Sequence, residues 1–142
     1  MIMQLAEEFY PMLAPYNKNI NIDVPDDLVL IGDADKLARV FNNILKNAVV
    51  YSSENSLTKI HAVQSGDTVM ITFTNQGNPI PSQKLNTIFE KFYRLDSARS
   101  TDTGGAGLGL AIAKEIVTAH GGQIYVESNL QNTTFTVSLP LI

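Results

Sequence analysis

The chain contains no cysteine and few basic side chains, and both features restrict the kinds of site and partner that it can have. The absence of cysteine excludes disulfide frameworks and thiolate metal sites, argues against redox chemistry and suits a reducing cytoplasm. Only 10 Lys and Arg residues stand against 14 Asp and Glu, and the net charge is -4. This balance argues against nucleic acid or an anionic membrane surface as the main partner, so any bound phosphate must be held by a local site.

Long apolar runs are also absent. No stretch approaches the roughly 20 residues that span a bilayer, and the first residues lack the basic flank of a signal peptide, so we expect a soluble piece without direct membrane contact. With 44% hydrophobic side chains in 142 residues, the chain has room for one core and one domain, residues 1–142. Its first helical pattern starts abruptly, so we assign residues 1–17 partly to a linker helix within a longer protein.

Apolar periodicity predicts the order of helices and strands. Alternation at residues 19–24 and at residues 28–30 indicates two strands, and an amphipathic helix follows with Asp33 as its N-cap. The remaining predicted elements are a hairpin of residues 59–63 and 68–74, a short helical stretch ending at residues 88–92, a buried helix at residues 106–120, and a hairpin of residues 123–127 and 133–139. Without a repeating βαβ order, the predicted class is an α+β two-layer sandwich with helices on one face of a mixed sheet.

The helix after Asp33 carries a pair of asparagines. Asn43 and Asn47 are four residues apart, so their carboxamides lie one above the other at the margin of the apolar face. From this helix alone, polar side chains facing solvent are the favoured interpretation. The alternative is a magnesium and phosphate site, because a neutral carboxamide oxygen can bind a hard cation without adding negative charge beside a triphosphate.

Glycines are concentrated at residues 104–109, where the last predicted helix begins. Backbone N–H groups at such a helix start can approach phosphate closely, and the alternative explanation of the glycines alone is a flexible loop with close helix packing. A dinucleotide-binding motif is disfavoured because a polar loop, and not a strand, comes before the glycines. No glycine-lysine-serine P-loop is present either.

The order of these motifs resembles that of the sensor histidine kinases. Residues 43–48, 75–77, 88–94 and 104–109 are similar, in order and spacing, to the N, G1, F and G2 boxes of that family. The resemblance extends from about residue 28 onward, and the stretch at residues 94–109 is similar to sensors of vancomycin-resistance systems. It implies a Bergerat-type ATP-binding fold with a lid at residues 93–107. It also implies ATP and Mg2+ as cofactors, and a cytoplasmic domain of a membrane-anchored bacterial kinase. The implied partners are a phospho-acceptor histidine domain of the same protein and a response regulator.

The resemblance also implies a role for individual residues. Asn43 would bind the metal, and Asn43 and Arg94 would be the catalytic residues. The predicted nucleotide-binding set is Asn43, Lys46, Asn47, Tyr51, Asn75, Gly77, Ile80, Arg94, Gly105, Ala106, Gly107, Leu108 and Gly109. Phe89 and Phe92 would support the lid, or would be ordinary core aromatics.

Three positions depart from the family pattern. Asn75 stands where aspartate usually accepts a hydrogen bond from adenine, Pro79 stands where a second glycine is common, and Val50 stands where many relatives carry a basic residue. Because a carboxamide can also donate, we hypothesise weaker discrimination between adenine and guanine, which competition by GTP would test.

The two histidines are not credible phospho-acceptors. His61 lies in a predicted strand and is followed by alanine, and His120 lies at a helix end. We therefore expect binding of Mg-ATP without autophosphorylation. Two other functions stay open. One is a regulatory nucleotide-binding module without phosphoryl transfer. The other, an ATPase of the gyrase or Hsp90 type, is disfavoured because no glutamate comes shortly before Asn43.

Overall fold

The computed structural model describes residues 2–85, 87–90 and 109–141. Its α-helices are α1 (Ile2–Leu13), α2 (Ala34–Val50) and α3 (Gly109–Ala119), and its strands are β1 (Asn19–Asp23), β2 (Leu57–Ser65), β3 (Thr68–Asn75), β4 (Gln123–Ser128) and β5 (Thr133–Pro140). Short 3-10 turns lie at Ala14–Tyr16, Ser82–Lys84 and Thr87–Phe89. Within these described ranges, no helix is both long enough and apolar enough to cross a membrane.

The strands form one mixed sheet in the order β1-β2-β3-β5-β4. β1 pairs with β2 in parallel, because the chain crosses over through α2 between them, whereas the other three pairings are antiparallel. Both predicted hairpins are confirmed. The second hairpin inserts β5 between β4 and β3, so that the end of β3 lies beside the start of β5.

The core lies between the sheet and the helices. α2 buries the apolar face that its periodicity predicts, and Phe41 on this face lies with its ring centroid 6.2 Å from that of Phe73 on β3. α1 adds Ala6, Phe9 and Leu13 to the same core. Each large apolar side chain buried in this way contributes about 1.5–3 kcal/mol. The helix layer is therefore held on the sheet along α2, the helix that carries the asparagine pair.

One predicted strand is wrong. Residues 28–30 form no strand, although their side chains do alternate. Leu28 and Leu30 pack partly buried against the core, whereas Val29 is 67% exposed and Ile31 59% exposed. The alternation therefore reflects an extended segment that packs on one side but has no strand beside it.

Helix α3 also differs from its prediction. It buries Ala111, Ala113 and Val117, but Lys114 and Glu115 are exposed, so only one face is buried. The helix lies on the outside of the domain against α2, and its solvent side carries the charged residues.

His120 joins the ends of two helices. Asp33 is the N-cap of α2, as predicted, and its carboxylate accepts a hydrogen bond from the backbone N–H of Lys36 at 3.1 Å. The backbone N–H of Asp33 donates to Nε2 of His120 at 3.1 Å, and Nδ1 of His120 lies 2.8 Å from the carbonyl oxygen of Ile116 on α3. Because Nε2 accepts, Nδ1 must be the protonated donor in this arrangement. The imidazole thus links the start of α2 to the end of α3.

Candidate functional site

A cavity of about 440 Å³ opens at the end of the sheet where β3 and β5 meet α2. It is lined by Asn47, Val50, Tyr51, Ser52, Ser53, Asn75, Asn78, Pro79, Ile80, Pro81, Lys84, Thr133 and Phe135. Its volume lies in the range of pockets that hold small molecules and cofactors. Four residues of the predicted nucleotide-binding set, Asn47, Tyr51, Asn75 and Ile80, are brought together here.

One wall of the cavity is the last turn of α2. Val50 and Tyr51 lie three and four residues after Asn47, so all three are on the same side of the end of the helix. Val50, where a basic residue is common in the family, presents an apolar side chain to the cavity. Lys46 lies on the same helix but is not among the lining residues.

Asn43 lies one turn before Asn47 and contacts the start of α3. Its Nδ2 donates to the carbonyl oxygen of Gly109 at 3.0 Å. Only the amide nitrogen can donate to a carbonyl, so this bond fixes the orientation of the carboxamide. Its Oδ1 accepts no hydrogen bond from the described residues and is left for a ligand.

The Asn43 carboxamide could bind a magnesium ion only together with ligands from outside the described residues. Within the described residues no group of three or more His, Cys, Asp or Glu side chains could hold a metal ion. Magnesium in nucleotide sites is commonly bound through one or two protein oxygens, phosphate oxygens and water. A carboxamide oxygen without a partner among the described residues, beside a cavity of nucleotide size, matches that pattern, and Asn43 is one residue that provides such an oxygen.

Two buried polar residues form the floor of the cavity. Asn75, the last residue of β3, and Thr133, the first residue of β5, are register partners, and each is only 4% exposed. The Asn75 side chain makes no hydrogen bond to any described residue. A buried polar group without a partner costs about 1–3 kcal/mol, so a ligand that pairs with this amide would gain stabilisation from it.

The wall opposite α2 is held by a serine of β4. Ser128 Oγ accepts from the backbone N–H of Ile80 at 2.8 Å and lies 2.7 Å from Thr133 Oγ1. These bonds tie the loop that contains Pro79 and Ile80 to the floor. The position of the loop is therefore determined by the β4–β5 hairpin.

Gly77 lies outside the lining and lets two segments approach each other. A Cβ atom at this position would lie 2.4 Å from the backbone oxygen of Tyr51. Gly77 forms an isolated bridge with Ser52, and the backbone N–H of Ser53 donates to the carbonyl oxygen of Gln76 at 2.7 Å. The end of α2 and the loop after β3 are joined at this point.

Several candidate residues lie elsewhere. Phe89 is buried in the core, with its ring edge-on to that of Phe135 at 6.3 Å, so it supports the cavity from behind. Gly109 is placed by its contact with Asn43 and does not line the cavity. Phe92, Arg94, Gly105, Ala106, Gly107 and Leu108 lie outside the described residues.

The structure also adds residues that the sequence did not indicate. Thr133 reaches the floor only through the register of β5 with β3, and Ser52 and Ser53 reach the cavity because the chain turns back after α2. Lys84 is the one charged side chain among the described lining residues. Nothing in the apolar periodicity indicates Lys84, and nothing in the sequence pairs Thr133 with Asn75.

A mixed sheet covered by helices, with a polar-floored cavity beside an asparagine-bearing helix, is the arrangement of a nucleotide-binding α+β sandwich domain. A family profile described as histidine kinase-, DNA gyrase B-, and HSP90-like ATPase matches residues 32–142. The chain belongs to this ATPase family. The predicted fold class and the predicted resemblance are both confirmed.

The relatives of the chain are sensor kinases. It is 63% identical to sensor protein VanS of Enterococcus faecium over 140 residues, which are 99% of this chain and 36% of that protein. The catalytic domain of histidine kinase ThkA superimposes with a TM-score of 0.86 at 26% identity, covering 98% of this chain and 89% of that chain. Full-length ShkA in complex with AMPPNP gives a TM-score of 0.85 at 27% identity, over 98% of this chain and 29% of ShkA. The chain spans about a third of the length of its VanS relative.

Proposed function

We propose that residues 1–142 form the catalytic domain of a sensor histidine kinase, which binds Mg-ATP and donates the γ-phosphoryl group to a histidine on a separate domain of the same protein. The observation that carries this proposal is the nucleotide-sized cavity between Asn47 and Asn75, with the free carboxamide oxygen of Asn43 one helical turn away. The complex of the related ShkA with an ATP analogue supports ATP as the ligand.

The described residues would bind and orient the nucleotide. The base would enter the cavity against Asn75 and Thr133, with Tyr51 and Ile80 at its sides, and the phosphates would extend along α2 past Asn47 towards Asn43. Magnesium, when bound at Asn43, would offset phosphate charge. Positioning and electrostatic stabilisation make up nearly all of the catalysis of phosphoryl transfer, so a rigid binding wall is the main contribution expected of this domain.

The remaining phosphate contacts are proposed from motif positions alone. Arg94 would approach the terminal phosphates, and the backbone amides at residues 105–109 would bind them. Lys46 would contribute positive charge on α2. An acidic residue beside the attacking histidine, on the separate domain, would accept its proton, so this chain need not supply a general base.

The two histidines of this chain are already engaged in structural contacts. His61 lies on the exposed side of β2, with Nδ1 3.1 Å from a carboxylate oxygen of Asp23. Both ring nitrogens of His120 are bonded to backbone groups. We therefore propose that the acceptor histidine, the response regulator that receives the phosphoryl group and the membrane anchor all belong to the parent system, and that this domain is on its cytoplasmic side.

The first experiment is a calorimetric titration of ATP, with and without magnesium, into the wild-type chain, Asn43→Ala and Asn42→Ala. Asn42 is the matched control, since it is the same residue type on the same helix but lacks the bond to Gly109. Magnesium-dependent binding that disappears in Asn43→Ala and persists in Asn42→Ala supports the site. Equal binding by all three folded proteins contradicts it.

A second experiment separates kinase activity from simple nucleotide binding. Val50 leaves the α2 wall of the cavity without the positive charge that many relatives place there, and this favours a regulatory ATP-binding module as the alternative function. The chain would be mixed with the histidine-bearing domain of its parent and ATP labelled at the γ-phosphate. Acid-labile label on that domain supports the kinase, and ATP binding without transfer supports the regulatory module.

A further inference from the structure

The polar floor of the cavity has no fixed hydrogen-bonding polarity. Asn75 is 4% exposed, lines the cavity, and has a side chain that is not hydrogen-bonded to any described residue. Its backbone is paired with β5, which fixes where the side chain starts. The amide group has no hydrogen-bond partner that would favour one of its two orientations, which differ by a rotation of about 180° and exchange the oxygen with the nitrogen. A buried carboxamide of this kind is normally paired, which points to a ligand as its missing partner.

The neighbouring hydroxyls are equally adaptable. Either Ser128 or Thr133 can be the donor in the bond between them. If Ser128 donates, the hydroxyl hydrogen of Thr133 is free for a ligand, and if Thr133 donates, it offers a lone pair instead. The backbone N–H of Ile80 donates to Ser128 in both cases, so the change needs no movement of the loop.

A carboxamide pairs equally well with the two common kinds of purine edge. A 6-aminopurine places a donor at N6 beside an acceptor at N1, and a 6-oxopurine places an acceptor at O6 beside a donor at N1. Asn75 carries one donor and one acceptor, and a half-turn of its amide exchanges them. A carboxylate at the same position could only accept, so the oxygen that accepts from N6 of an aminopurine would face the O6 of an oxopurine in the same placement with like polarity.

We propose that the base site around Asn75 accepts 6-oxopurine nucleoside triphosphates, GTP and ITP, alongside ATP. This inference rests on the proposed function, since it requires that the cavity bind the base of a purine nucleotide. It goes beyond that function because it states which purine bases the site accepts. It assigns this range of bases to the unpaired amide of Asn75 and to the hydroxyl groups of Ser128 and Thr133.

The test is displacement of trinitrophenyl-ATP from the wild-type chain by ATP, GTP, ITP and CTP in the presence of magnesium. ITP is the sharpest probe, because it has the oxopurine edge without the 2-amino group. We expect GTP and ITP to compete within about threefold of ATP, and CTP more weakly. Loss of a two-bond pairing costs roughly 5- to 150-fold, so a fixed adenine-specific floor would give a difference of about fivefold or more.

The outcomes are separable. If ATP displaces the probe but GTP or ITP needs about fivefold higher concentration or more, the inference is wrong while the proposed function stands. If CTP competes as well as ITP, the phosphates alone drive binding and the inference is equally wrong. If even ATP fails to displace a bound probe, or the probe does not bind, the proposed function itself fails.

The variant Asn75→Asp tests the role of the amide directly, because it replaces a group that can donate or accept by one that can only accept. Its carboxylate would accept from the amino group of adenine but not donate to an oxopurine, so the ratio of ITP to ATP concentrations needed for displacement should rise about tenfold or more. An unchanged ratio in a folded variant overturns the role of Asn75. The wild-type ratio decides the inference even if the variant does not fold.

Discussion

Replacement of Gly77 by alanine should damage stability and nucleotide binding together. The added Cβ would lie 2.4 Å from the backbone oxygen of Tyr51, whereas ordinary contacts begin near 3.4 Å. A backbone oxygen cannot rotate away, so the end of α2 and the loop after β3 must separate by about 1 Å, at a cost of about 1–3 kcal/mol. Weakening of the backbone bond between Ser53 and Gln76 adds about 1 kcal/mol. The expected loss in free energy of unfolding is therefore about 2–4 kcal/mol.

The effect on binding follows from the same displacement. Tyr51 lines the cavity, and displacement of this wall by about 1 Å should lower the affinity for ATP by about tenfold or more, equivalent to about 1.4 kcal/mol. Urea denaturation measures the first effect and calorimetric titration the second. Gly66→Ala is the control: nothing lies within 4 Å of its added Cβ, and it lies at the opposite end of β3 from Asn75. Its φ of 61° makes alanine cost about 1 kcal/mol without changing ATP affinity. Wild-type binding and stability in Gly77→Ala would refute the reasoning.

Three further substitutions test other parts of the structure. Ser128→Ala removes the acceptor of the Ile80 N–H, so urea denaturation should give about 1–2 kcal/mol lower stability and calorimetry weaker ATP binding; unchanged ATP affinity would show that the loop does not need this bond. His120→Ala deprives the backbone N–H of Asp33 of its acceptor and removes the link between the start of α2 and the end of α3, at a cost of about 1–2 kcal/mol in the same assay, and an unaltered unfolding midpoint would contradict a stabilising role for this link. Phe73→Ala empties a fully buried core position and should cost about 3–5 kcal/mol, whereas a loss below about 1 kcal/mol would mean that the core is misplaced.

Local features of the fold were predictable from the sequence because local physics determines them. The cap at Asp33 and the apolar face of α2 depend on neighbouring residues along one helix, and the turn around Gly66 joins adjacent strands. The strand expected at residues 28–30 failed for a non-local reason. Alternation reports that one side of a segment is buried, but it does not report whether another strand lies beside it.

The residues that α2 contributes to the candidate site could be predicted from the sequence, whereas those brought together by strand pairing could not. Asn47 and Tyr51 share one helical face, so their spacing alone places both at the same wall. Thr133 meets Asn75 only because β5 inserts between β3 and β4, a choice that depends on packing of the whole sheet. Lys84 enters the lining because a short 3-10 turn follows the proline-containing loop, a conformation that periodicity does not indicate.

The parallel edge strand has a consequence for any shortened form of the domain. The family match begins at residue 32, yet β1 lies before it and completes the sheet beside β2. A piece cut at that boundary would leave one side of β2 with unpaired N–H and C=O groups, a surface that recruits strands from other molecules. It would also remove the contact of α1 with α2, the helix that carries the asparagines. We therefore expect the smallest unit that folds without aggregating to be longer than the segment that identifies the family.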